Sequence, residues 1–359
     1  MSSSVLTPVL TNPIPQTHRC RRRNLSARST TLVGVSDVAT STPIEAQLEA
    51  YRSELTGYCY RMLGSVFEAE DAVQDTFVRA WRGFDRFEGR SALRSWLYRI
   101  ATNVCLTMLT SAQRRVLPMD LGPAGSGHAT APGEPRPDEI WVGPAPDSRV
   151  LPETSDPADV VAGRESVRLA FVAALQHLPP RQRAVLILRE VLAWSAQEVA
   201  DLLDTSVPSV NSALQRARAT LASVDTTADV HKPMDDEQKA LLARYVSAFE
   251  AYDLEALTTL LHEDVTLSMP PLPLWLRGHA DISAWMSGTG SGCRGSRLVP
   301  VVANGMPAFG QYRPSLSGEG HDPWALIVLE LSAGRISGIT NFLDTERLFP
   351  LFGLPARLA

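Results

Sequence analysis

The sequence predicts a multidomain chain, two all-α blocks followed by an α+β domain. Three observations carry this. Apolar residues recur at spacings of three and four over 43–109 and again over 159–221, the mark of helix faces. A proline- and glycine-rich stretch, 115–158, separates the two blocks. Beyond residue 236, amphipathic helices give way to short strand-like runs between Gly and Pro turns, so a curved antiparallel sheet follows the helices. A length of 359 residues is too great for one small domain, and 44% hydrophobic with 20% charged residues lets most of the chain bury a core.

Residues 1–42 read as a disordered arm. Its apolar residues precede its arginines, the reverse of a secretory signal. Arg19, Arg21, Arg22, Arg23 and Arg28 leave open either a weak nucleic-acid contact or a plain solvated extension, with a true start further in. One helix is predicted over 43–63, where Ile44, Leu48, Tyr51, Leu55, Tyr58 and Met62 share a face; Thr42 caps it and Pro43 opens its first turn. Gly64 and Ser65 break it. A second helix runs from Glu68 to Gly83, with acidic residues near its start where the helix dipole favours them. A third runs from Ala92 to Leu109. These form one helical bundle, 43–114.

The segment 115–158 reads as a linker, with Asp138, Glu139, Ile140 and Trp141 a short sticky piece of no assignable place. In the block 159–224, a helix from Asp159 to Leu178 is stopped by Pro179 and Pro180. Further helices span Arg181–Leu192, Ser195–Leu203 and Pro208–Leu221. A short helix, a turn at Thr205 and Ser206, then another helix is the helix-turn-helix pattern. A second linker covers 225–235. In 236–359, two helices (apolar faces at Leu241–Tyr252 and Leu254–Leu261) precede strands at Val265–Met269, Arg297–Ala303, Pro307–Tyr312, Ala325–Leu331 and Ile336–Phe342.

Composition excludes several classes. A formal charge of -5 rules out a globally basic nucleic-acid binder, while leaving local basic faces open. Cys20, Cys59, Cys105 and Cys293 are scattered without metal-ligand spacing, which argues against zinc or a disulfide scaffold and fits a reducing compartment. No apolar run reaches membrane-span length. There is no Walker loop, HExxH or serine-nucleophile elbow.

The segment LPPRQRAVLILREVLAWSAQEVADLLDTSVPSVNSALQRARATL, 178–221, resembles region 4 of bacterial sigma-70 family RNA polymerase sigma factors, extracytoplasmic-function group. The block FEAEDAVQDTFVRAWRGFDRFEGRSALRSWLYRIATNVCLTML, 67–109, resembles region 2 of the same family. Region 2 in that family binds the polymerase clamp. The resemblance assigns this to Glu70, Asp71, Gln74, Asp75, Thr76, Phe77 and Trp81, of which Phe77 and Trp81 read as core. Reading and melting the -10 element falls to Arg90, Arg94, Trp96, Arg99 and Asn103, with Trp96 read as a core anchor. The last helix of region 4 enters the major groove at -35, with Ser206, Val207, Ser209, Val210, Asn211, Ser212, Gln215, Arg216 and Arg218 at the matching positions. Pro208-Ser209-Val210-Asn211-Ser212-Ala213 replaces the family's commoner Gly-Thr-Val-Lys-Ser-Arg and resembles the sigma-G-like subgroup.

The C-terminal block resembles the SnoaL-like polyketide-cyclase fold through LLARYVSAFEAYDLEALTTLLHEDVTLSMPPLPLWLRGHADISAWM, NGMPAFGQYRP and GRISGITNFLD. That resemblance implies an α+β cone with a pocket. His262, Asp264, Trp275, His279, Tyr312 and Asp344 are its candidate lining. No spaced pair among them specifies chemistry, and Asp264 and His279 read as turn residues.

The resemblance implies a cytoplasmic initiation factor without catalysis or cofactor. Its partners would be core polymerase and promoter DNA, with a small ligand and an anti-sigma protein as further possibilities. The C-terminal domain would modulate its activity. The alternatives are a SnoaL-like isomerase or cyclase fused to DNA-binding helices, and a polymerase-independent helix-turn-helix regulator.

Overall fold

In the computed structural model, the described residues are 44–87, 92–110, 114–129, 132–137, 140–152, 156–222 and 235–359. The expected arm, residues 225–234 of the second linker, Asp138 and Glu139 lie outside them.

The first predicted helix is two, α1 (Ile44–Glu49) and α2 (Arg52–Leu63). Between them the Tyr51 N–H bonds the Leu48 carbonyl at 3.0 Å, a tightened closing turn. Every residue of α2 from Leu55 to Leu63 is buried, so past its first turn this helix has no solvent face. Gly57 is required there, because a Cβ would run into the carbonyl of Val150 crossing it. Gly64, with φ 76°, ends α2 in the left-handed conformation. Helix α3 (Val66–Gly83) starts two residues earlier than predicted, capped by Ser65. Helix α4 (Leu93–Met108) matches its expected span within a residue at each end.

The proline-rich segment is a strap rather than a free tether. Val116 bridges Trp141 in parallel fashion, and Trp141, Val142, Ala145 and Val150 are buried. It contains a one-turn helix, α5 (Asp147–Val150). Arg115 is also buried; it donates to the Trp141 carbonyl at 2.7 Å and meets Glu68 at 2.5 Å.

Next come α6 (Pro157–Glu165), α7 (Leu169–Gln176), α8 (Pro180–Leu186), a π turn at Ile187–Val191, α9 (Ala196–Leu202) and α10 (Val207–Ala222). The helix expected over 159–178 breaks at Ser166–Arg168, where tertiary partners take the carbonyls. Arg61 donates to Ser166 O at 3.2 Å and Asn304 Nδ2 to Val167 O at 2.6 Å.

The C-terminal part holds α11 (Asp236–Ala251), α12 (Leu254–Leu260), β1 (Leu261–Ser268), β2 (Trp275–Arg277), α13 (Gly278–Ser287), β3 (Arg297–Ala303), β4 (Met306–Pro314), β5 (His321–Ser332), β6 (Arg335–Phe342) and α14 (Thr345–Leu351). Strand β2 and helices α13 and α14 were not predicted. The sheet order is β2-β1-β6-β5-β4-β3, antiparallel except for the β1–β6 pair. Asn304 and Gly305, with φ 57° and 70°, form the β3–β4 turn that an Asn-Gly pair favours.

The two faces of this sheet belong to different cores. Phe309, Ile327, Leu329 and Ile339 pack under α11–α13. Ala308, Tyr312, Val328 and Phe342 join one continuous apolar core with α2, α3, α4 and the later helices. Strand β4 is consequently buried from Met306 through Tyr312, on both faces.

Candidate nucleic-acid and polymerase interfaces

Helix α3 buries Ala69, Ala72, Val73, Thr76 and Ala80 and turns its other side to solvent. Asp71 and Gln74 are exposed there, Glu70 and Asp75 half-exposed. Trp81 is 60% exposed and its neighbour Val78 40%, so the expectation that Trp81 is core fails: the helix's apolar stripe runs through Ala80, and Trp81 falls a step round the cylinder. Phe77 is half-buried under the Arg52 guanidinium, 5.0 Å from its centroid. Thr76 is buried and donates to Ala72 O at 2.7 Å, which removes it from any contact surface. Val78, not among the sequence candidates, lies between Gln74 and Trp81 on the same exposed stripe.

Of the -10 candidates, Arg90 lies outside the described residues. Trp96 is half-buried, stacked on Phe87 at 4.8 Å. Asn103 is exposed. Arg94 pairs with Glu54 and lies over Trp194, 5.2 Å from its centroid. Arg99 donates to the Asp201 carbonyl at 2.5 Å. Trp194 and Asp201 flank and end α9, so the α8–α9 hairpin covers part of α4. Tyr98, unremarked in the sequence, sits beneath: its ring is 5.0 Å from Trp194 and its hydroxyl donates to Glu54 at 2.9 Å. Burial pushes the Tyr98 hydroxyl well above its ordinary value.

In the helix-turn-helix, Ser195 and Glu198 form a reciprocal capping box on α9, with bonds of 3.2 and 2.7 Å. These contacts with Ser195 hold the Glu198 carboxyl below its ordinary value. Along α10, Ser206, Ser209, Asn211, Ser212, Gln215, Arg216 and Arg218 are exposed. Val210 is fully buried and Val207 half-buried; they anchor the helix on its partners, and Val210 has no surface to offer DNA. The Ser206 Oγ accepts from the Ser209 N–H at 3.3 Å as a helix cap. Arg218 is paired with Glu190 at 2.5 Å. The free polar stretch is therefore Asn211, Ser212, Gln215 and Arg216.

The C-terminal part encloses a cavity of about 280 Å³ between α11–α13 and the sheet. None of the six candidate lining residues faces it. Tyr312 points to the opposite face, donating to Pro355 O at 2.7 Å and packing on Phe349. Asp344 caps α14. Asp264 is exposed, 3.9 Å from Arg277, and its N–H donates to His262 Nδ1. His279 bonds the His262 carbonyl at 2.9 Å, and Trp275 donates to Gly122 O at 2.9 Å. These residues sit at the rim or outer face because strand alternation and the unpredicted β2–α13 turn carry them away. Among the described residues no His/Cys/Asp/Glu cluster would hold a metal, and no helix is long and apolar enough to cross a membrane.

Comparisons with known proteins bear on the whole chain. Residues 48–115 match the Sigma-70 region 2 family, 168–221 the Sigma-70, region 4 family, and 242–339 the SnoaL-like domain. The ECF RNA polymerase sigma factor SigG of Mycobacterium tuberculosis (strain H37Rv) is 46% identical over 323 residues, spanning 87% of this chain and 84% of the relative. The chain belongs to the ECF RNA polymerase sigma factors. SigJ of the same organism is 26% identical over 312 residues, 84% of this chain and 92% of its own. The crystal structure of a Mycobacterium tuberculosis SigJ matches with a TM-score of 0.55 at 21% identity, covering 87% of this chain and 99% of that one, a likeness of fold. As a member of this family the sigma factor binds core RNA polymerase and promoter DNA, and it carries a C-terminal SnoaL-like domain.

Proposed function

We propose that this sigma factor is held in a resting form in which its own C-terminal domain and linker keep regions 2 and 4 together. The observation that carries this is the Asn304 side chain at the β3–β4 turn. Its Nδ2 donates to Tyr60 Oη on α2 and to Val167 O between α6 and α7, both at 2.6 Å; its Oδ1 accepts from the Ala145 N–H of the strap at 2.9 Å. One buried side chain thus ties region 2, linker, region 4 and the C-terminal sheet. Beside it the Gly305 N–H donates to Asp147 Oδ1 at 2.7 Å. Burial pushes the Asp147 carboxyl up, with Gly305 and Arg164 opposing. A network this fully satisfied in a dry junction favours one arrangement.

In the reading proposed, the exposed face of α3, centred on Trp81 with Glu70, Asp71 and Gln74, docks on polymerase. The α10 residues Asn211, Ser212, Gln215 and Arg216 read -35 DNA. Arg94, Arg99 and Asn103 meet -10 DNA once region 4 leaves α4, since contacts from α9 and Trp194 occupy Arg94 and Arg99 until then. Working limits are 43–114 for region 2, 115–158 for the linker, 159–224 for region 4 and 236–359 for the C-terminal domain. We assign the cavity a binding rather than a catalytic role: its lining holds no Asp, Glu or His among the described residues, so a carboxylate or imidazole base is not at hand.

The test is run-off transcription with core polymerase limiting, comparing the full-length protein with Asn304→Ala. The substitution removes hydrogen bonds from a buried junction at a cost of about 1–3 kcal/mol to the closed form. Initiation is expected to rise several-fold. Unchanged initiation, with the junction shown by limited proteolysis to have loosened, contradicts the resting form; absence of any promoter-specific start contradicts the promoter surfaces.

A further inference from the structure

The cavity under α11–α13 is apolar, walled by Phe249, Leu257, Leu267, Ile282, Trp285 and Ile339. At about 280 Å³ it approaches the lower end of small-molecule sites, about 300 Å³. Among the described residues one cation, Arg313, is part of its lining. The Arg313 guanidinium lies 3.3 Å from the centroid of the Trp324 ring, and its Nη2 donates to Cys293 Sγ at 3.1 Å. Its Nε is buried without a hydrogen-bond partner. Among the described residues no carboxylate is within ion-pair distance. The cross-strand neighbour Asp322 is turned to Arg357, at 3.4 Å. Arg313 is half-buried as a residue, so its outer edge keeps some hydration, but its buried Nε and its place in the lining of an apolar cavity leave a cationic donor that an anion would complement.

The cover of the cavity comes from outside the C-terminal domain. Pro132, in the linker between regions 2 and 4, is part of the lining. Described linker residues on either side of it are bonded to the rim. The Gly125 N–H donates to Trp275 O at 2.8 Å, the Gly127 N–H to Asp281 Oδ1 at 2.7 Å and the Arg136 N–H to Pro271 O at 2.9 Å. In return Thr289 donates to Ala129 O at 2.9 Å. Gly127 is needed for this approach, because a Cβ there would run into the Asp281 backbone.

We propose that the cavity binds a small amphipathic carboxylate, its apolar body against the walls and its carboxylate on Arg313, beneath the linker between regions 2 and 4 as a lid. A bound molecule adds contacts to Pro132 and so holds the lid down. Resting on the closed form proposed above, ligand then favours the closed sigma factor, and by reciprocity polymerase binding expels ligand.

Decanoate is the probe, with decanol as its uncharged counterpart, titrated calorimetrically into the full-length protein. Decanoate is expected to bind at least about tenfold more tightly than decanol, and Arg313→Leu to erase that preference. Hydrogen exchange at the Gly125, Gly127 and Arg136 amides is expected to slow with decanoate. Gly127→Ala, which lifts the lid and leaves Arg313 in place, should weaken both probes together. Equal binding of the two probes, no binding of either, or an unchanged preference in Arg313→Leu overturns the site. Unchanged exchange at the three amides overturns the lid. In the transcription arm, decanoate is expected to reduce run-off product from the parent and not from Arg313→Leu. Binding with slowed exchange but unaltered transcription overturns the coupling to the closed form and leaves site and lid standing.

Discussion

Exposure of single side chains separates the candidate contact residues of α3 from core residues. Trp81 is open to solvent while Tyr58, on α2, is fully buried against Tyr98, 5.1 Å between centroids. Trp81→Ala is therefore expected to leave thermal stability nearly unchanged and to weaken core-polymerase binding by about 2 kcal/mol or more, read in an equilibrium binding titration. Tyr58→Ala should instead destabilise the fold by about 3–5 kcal/mol, read by denaturant unfolding. Glu330 on β5 makes a prediction of opposite sign. Burial raises its carboxyl above the ordinary value, with Arg168 opposing. The folded state thus holds this proton more tightly than the unfolded one, and its contribution to stability is lost as pH rises through the raised value. Glu330→Gln, a permanent stand-in for the protonated form, is expected to raise the melting temperature at pH 7 and to lose that advantage below the ordinary carboxylate range. A lower melting temperature at pH 7 would refute it. Cys59 and Cys105, far apart in sequence, are buried free thiols; the neighbouring Cys105 thiol, with burial, pushes the Cys59 thiol up, and neither was expected to meet the other.

Among the elements, helices whose apolar residues repeat at three and four were legible: α3, α4, α9 and α10 emerge within two residues of expectation. The breaks at Ala50–Tyr51 and Ser166–Arg168 were not, because partners distant in sequence, Arg61 and Asn304 among them, decide the second. Strands β3 to β6 were visible as β-branched and aromatic runs. Strand β2 has three residues, too few for any periodicity, and α13 opens on a glycine with φ 79° that reads locally as a turn. The cavity lining was misplaced for the same reason: which face a residue takes depends on strand register, which only the paired sheet reveals. Helix α10 carries its own prediction. Arg216 is exposed and Arg218 is paired with Glu190. Arg216→Ala should weaken binding to promoter DNA uniformly across sequences and lower the salt slope by about one, whereas Gln215→Ala should alter base preference, both read by titration over a salt series.

On the scale of the whole molecule, the linker departs most from its sequence reading. Its prolines and glycines read as a linker, with only Asp138 to Trp141 as a sticky piece of no assignable place. In the folded chain they shape a strap that passes from Arg115, paired with Glu68, over the cavity rim to Trp141 and α5 against α2. Composition signals the absence of helix, and says nothing of what an irregular segment packs against. The family resemblance identified regions 2 and 4 and the SnoaL-like domain, but not that the outer sheet face completes the core of the helical regions. That shared core, with the Asn304 junction, is why regions 2 and 4 should part only when polymerase competes for them. The distance between probes at Glu45 on α1 and Ala219 on α10, both exposed, tests this most directly. It would be measured in the free full-length protein and in the polymerase complex, with initiation assayed on the same samples. A single well-defined distance is expected in the free protein and a different one in the complex. The same distance in a complex that initiates, or two freely exchanging distances in the unbound protein, would contradict the closed resting form.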